Sequence, residues 1–139
     1  MRYVNWKKNY EIGVGEIDLQ HKKIFSIANE FFTELFSDTY INGSNNILTV
    51  LKELRNYCKF HFDYEKNIYS EEIIQEYFVN EYKLLEKIDK LICSNKQDIN
   101  IVKLYAFAEH LRQWIVKHVL LLNDKKYRET LKNKVFVVQ

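Results

Sequence analysis

The chain contains no proline in 139 residues, and its apolar side chains recur at three- and four-residue intervals in four separate stretches. Proline breaks helix interiors and alternation at period two marks strands, so this pattern commits the chain to long helices and excludes a turn-rich β fold. In the first stretch the seam is Ile24, Phe25, Ala28, Phe31, Phe32 and Leu35. The second carries Ile47, Leu51, Leu54, Tyr57, Cys58, His61, Glu65 and Ile68 on one side. The third runs through Ile74, Phe78, Glu81, Leu85, Ile88 and Ile92, and the fourth through Leu104, Phe107, Leu111, Trp114, His118 and Leu122.

Polar breaks at Asn42-Gly43-Ser44-Asn45 and Ser94-Asn95-Lys96-Gln97-Asp98 separate these stretches. Asp18 is placed to cap the first helix, and Ser70 followed by Glu71 and Glu72 opens the third. The expected organisation is one domain over 1–139: an extended arm over 1–17, helices over about 18–37, 45–68, 71–93 and 99–123, and a short tail. Short connections between four amphipathic helices predict an all-α, up-down-up-down four-helix bundle.

Charge narrows the partners. The formal net charge is +2 with acids and bases interspersed, so no basic stripe offers itself to nucleic acid. No apolar run reaches the roughly 18 residues needed to span a membrane. The first residues lack a secretory pattern, so the expected location is the cytoplasm. Cys58 and Cys93 lack metal-type spacing and read as reduced thiols packed between helices.

Three histidines lie on three of these apolar seams. His21 is three residues before Ile24, and His118 is four after Trp114. His61 and Glu65 are four apart, so both face the same neighbouring helix. A single histidine on a helix face is more often a packed, hydrogen-bonded side chain than a ligand, and a His–Glu pair at this spacing also forms surface ion pairs. Three imidazoles and a carboxylate converging on one seam are different, because burying such groups without partners costs roughly 1–3 kcal/mol each. A divalent ion removes that cost, and imidazole with carboxylate suits iron, zinc or manganese. His110 sits eight residues before His118, about 12 Å along a helix axis, and reads as an outer-layer or core histidine.

These residues stand in strings that resemble the hemerythrin family over nearly the whole chain. One string matches at Gly13, Val14, Ile17, Asp18, Gln20, His21 and Lys22; a second at His61, Phe62 and Glu65; a third at Trp114, Ile115 and His118. The resemblance implies a four-helix bundle that holds two non-haem irons and binds, stores or senses molecular oxygen, without being an enzyme. It implies His21 and His61 on one iron, His118 on the other, and Glu65 with an aspartate bridging them. Asp124 takes the bridging place if one residue is inserted after His118; Asn123 takes it otherwise. The third helix departs from the family, which has two histidines four apart there. Glu81 and Leu85 occupy those positions by hydrophobic phase, and Asn80 and Leu84 without an insertion.

The expected metal ligands are therefore His21, His61, Glu65, Glu81, His118 and Asp124. Either Glu81 replaces one imidazole in a two-iron site, or a single metal sits on His21, His61 and Glu65 with His118 and Asp124 nearby. A metal-free bundle acting as an interaction or signalling module is the third possibility.

Overall fold

The computed structural model describes residues 3–37, 46–93 and 101–122. The expected tail, both polar breaks, and the choice between Asn123 and Asp124 lie outside the described residues. The helices are α1 (Gly15–Phe36), α2 (Asn46–Ile68), α3 (Glu71–Tyr77), α4 (Val79–Cys93) and α5 (Ile101–Leu122). No strand occurs among the described residues. Each long helix buries the face its sequence period marks. For α1 this includes Ile17, His21, Ile24, Ala28, Phe31 and Leu35.

Packing runs α1 on α2, α2 on α4, α4 on α5 and α5 back on α1, closing the ring of a four-helix bundle. His118 late in α5 meets His21 near the start of α1, His61 late in α2 and Glu81 early in α4. Starts and ends alternating at one level are the signature of up-down-up-down topology.

The arm is less extended than expected. It makes one 3-10 turn, Lys8–Tyr10, and α1 begins at Gly15, three residues earlier than the sequence pattern placed it. Val14, not Asp18, is the N-cap residue. Asp18 lies inside the first turn and reaches back, its carboxylate accepting from the Ile12 N–H at 2.9 Å and the Gly13 N–H at 3.1 Å. Gly13 has φ +87°, a conformation that favours glycine and lets the arm turn into the helix. Asp18→Ala is expected to destabilise the fold by about 1–2 kcal/mol through loss of these charge-assisted bonds, read as a lowered urea midpoint with unchanged slope.

The expected third helix is two. Ser70 caps α3, its hydroxyl accepting from the Ile73 N–H at 3.5 Å. Phe78, at φ −77° and ψ −4°, separates α3 from α4, while bonds from Phe78 N–H to Ile74 and from Tyr82 N–H to Phe78 carry the backbone across. Tyr77 at the end of α3 and Phe78 at the turn are both buried. The buried face of α3 runs through Ile73 and Tyr77, one residue ahead of the expected seam through Ile74.

The core has two parts. The larger fills the bundle between α1, α2, α4 and α5. A smaller one at one end gathers Ile12, Val14, Ile17, Tyr69, Tyr77 and Phe78. The arm contributes Val4 and Tyr10 to the larger core, and its Ile12 and Val14 to the smaller one.

Candidate metal centre

His21, His61, Glu65 and His118 offer ligand atoms that all lie within 4.8 Å of one another, and all four side chains are buried. The Nε2 atoms of His21 and His61 stand 3.1 and 3.3 Å from His118 Nε2. Glu65 Oε2 stands 3.1 Å from His61 Nε2 and 3.5 Å from the Nε2 atoms of His21 and His118. Neither Glu65 oxygen accepts a hydrogen bond. A fully buried carboxylate in that condition, facing three imidazole nitrogens, fits a cation at their centre.

The rings are aimed from behind. His61 Nδ1 donates to Gln20 Oε1 at 2.6 Å, and Gln20 Nε2 donates to Glu16 at 2.9 Å, which fixes the amide and leaves His61 Nε2 as the inward lone pair. His118 Nδ1 faces the Tyr77 hydroxyl and Glu81 Oε1, the latter at 3.2 Å, and Tyr77 is itself hydrogen-bonded to Glu81. Trp114 stacks on the His118 ring with centroids 4.8 Å apart, and Phe62 meets Trp114 edge-on. His21 Nδ1 is buried without a hydrogen-bond partner, so packing holds that ring.

Burial and charge pull in opposite directions here. Burial drives His21 down to about 3 against the attraction of Glu65. Burial also opposes charge on His118, but Glu65 and Glu81 outweigh it and raise that imidazole to about 9. Burial would raise Glu65, yet His61 and His118 hold it well below the ordinary carboxylate range. Burial, then Glu81 and Glu65, push the Tyr77 phenol well above 10. In the metal-free protein His118 thus keeps a proton that a ligand must give up. Loading a metal at pH 7 is expected to release close to one proton per ion from this ring, with the release falling away above pH 9. Calorimetric titration in buffers of different ionisation enthalpy reads that number.

The structure brings four of the six expected ligands together. Glu81 is fully buried but lies on the Nδ1 side of His118, behind the ring as seen from the Nε2 cluster. Asp124 lies outside the described residues. Gln20 and Tyr77 were not given roles by sequence reading. Gln20 was visible as the neighbour of His21, and Tyr77 stands four residues before Glu81. His110 is half-buried, with Nε2 3.4 Å from Lys87 Nζ. Cys58 is buried as expected, whereas Cys93 is exposed at the end of α4. A cavity of about 230 Å³ between α4 and α5 reaches Tyr77, Glu81, Trp114 and His118 from the surface.

Fold and site together define a helical bundle with a buried His/Glu cluster suited to a metal. Bacteriohemerythrin of Clostridium acetobutylicum is 26% identical over 125 residues, covering 88% of this chain and 96% of that protein. Hemerythrin-like proteins of Naegleria gruberi and Naegleria fowleri are each 26% identical over 129 residues, covering 91% of this chain and 92% of theirs. No family model matches the chain, and no solved structure matches it. These relatives support a distant hemerythrin-like relationship for the chain, and with the buried cluster they support a hemerythrin-like metal site.

Proposed function

We propose that this protein is a non-haem iron protein that binds molecular oxygen, for storage or sensing rather than catalysis, in the cytoplasm. The observation that carries the reading is the buried convergence of His21, His61, Glu65 and His118 in a bundle whose relatives are named for hemerythrin. Imidazole and carboxylate donors suit iron, which when bound supplies the redox-active centre that oxygen requires. The chain's own part is to aim the ligands and keep water out. Gln20 and Glu81 orient His61 and His118, and Phe62 and Trp114 wall the cluster. The cavity along Trp114 and His118 has room for a molecule of oxygen's size. No helix among the described residues is long and apolar enough to cross a membrane.

A metal-free interaction module accounts less well for Glu65, whose oxygens are buried without a hydrogen-bond donor. The test is the optical spectrum of anaerobic, iron(II)-loaded protein before and after air is admitted. A new near-ultraviolet or visible band is the expected result. A spectrum unchanged by air, in protein that retains its iron, would rule out oxygen binding at this site.

A further inference from the structure

We infer that the site holds one ion rather than two, and that Tyr77 and Glu81 hold His118 on that ion by clamping its ring from behind. The inference rests on reading the cluster as a metal site, and it disagrees with the two-iron arrangement that the family resemblance implies.

Spacing carries it. An ion bound tetrahedrally at about 2.0–2.1 Å sets its ligand atoms about 3.3–3.4 Å apart. Five of the six separations among His21, His61 and His118 Nε2 and Glu65 Oε2 are 3.1, 3.3, 3.1, 3.5 and 3.5 Å, and all four ligand atoms lie within 4.8 Å of one another. In two-ion sites the ions themselves are about 3.5–4 Å apart, which pushes end ligands on different ions further from each other than that. His118 would be an end ligand of the second ion, yet its Nε2 is 3.1 Å from that of His21. The separations from His118 Nε2 to His21, His61 and Glu65 are those of ligands sharing one ion.

The other side of His118 is already in use. Its Nδ1 faces Tyr77 and Glu81, an arrangement that fixes the ring and presents Nε2 inward. One turn beyond Glu81, α4 places the apolar Leu85, which packs into the main core and offers no donor. Formal charge agrees. Glu65 and Glu81 are the buried acids among the described residues, and together they balance one divalent ion.

The test is titration of the full chain with zinc, and separately with cobalt(II), followed by native mass spectrometry. One ion per chain is expected, with the strong visible absorption of four-coordinate cobalt. His118→Gln is expected to weaken binding of that ion as severely as His21→Gln does. Tyr77→Phe and Glu81→Gln are expected to keep one ion per chain but bind it about ten- to a hundredfold more weakly. Two ions on the wild-type chain, or undiminished affinity for one ion in His118→Gln, would overturn the single-ion inference and leave the metal-site reading standing. Unchanged affinity in both Tyr77→Phe and Glu81→Gln would overturn the clamp. No ion on the wild-type chain would overturn both readings. Circular dichroism establishes that each variant is folded, and the wild-type stoichiometry does not depend on any variant.

Discussion

Glu65→Ala is expected to destabilise the metal-free protein by about 3–5 kcal/mol near neutral pH, the usual consequence of removing one member of a buried charged pair. Glu65 is fully buried and is the charge that, with Glu81, keeps His118 protonated up to about 9. Without it the imidazolium keeps Glu81 on its Nδ1 side but loses the carboxylate facing its Nε2, among the rings of Phe62, Trp114 and Tyr77. The sign with pH follows from the shifts. Glu65 is lowered, so its contribution is present above its ordinary value of 4.5 and is lost as pH falls through the depressed value. His118 is raised, so its contribution is full below 6.5 and is lost as pH rises through about 9. His21 acts in the opposite sense: it resists protonation down to about 3, which erodes stability as pH falls below 6.5. Urea unfolding of chelated wild type and variant should therefore show a larger gap at pH 6.5 than above pH 9. Equal stability of the two proteins at pH 6.5 would mean that Glu65 and His118 do not act as a pair.

Metal should stabilise the protein by an amount comparable to the largest single side-chain effect. An ion that binds the folded chain alone adds about 4 kcal/mol when it is present at a thousandfold excess over its dissociation constant. In a chain of this size that raises the unfolding midpoint by on the order of 15 °C. The reason is local: before loading, Glu65 and three imidazoles are crowded together in a buried site, and the ion satisfies all four groups together. Chelation should reverse the shift. His61→Ala should abolish it, because His61 contributes an inward nitrogen whose direction Gln20 has already fixed. A midpoint indifferent to metal and chelator in the wild type would contradict this account.

Helical spacing made His21, His61, Glu65 and His118 legible, because each falls on an apolar face whose period needs no tertiary information. The same spacing could not give Tyr77. Read as one helix, the third stretch has a seam through Ile74 and Phe78, whereas the separate α3 buries Ile73 and Tyr77. Glu81 was legible as a buried acid but not as a group behind His118, since a linear pattern fixes the face of a helix and not which nitrogen of a facing ring it meets. Asp18 shows a similar limit. Its place near a helix start was plain, while its bonds to Ile12 and Gly13 depend on how the arm turns back. His110 shares a helix with His118, but a drift around the helix over two turns leaves it half-exposed beside Lys87.

Anomalous X-ray diffraction from crystals of iron-loaded protein tests the central claim most directly, because it locates the metal. The account predicts an iron peak bonded to the Nε2 atoms of His21, His61 and His118 and to a Glu65 oxygen. Fully loaded crystals with no peak among these four side chains, or with iron held elsewhere, would contradict it.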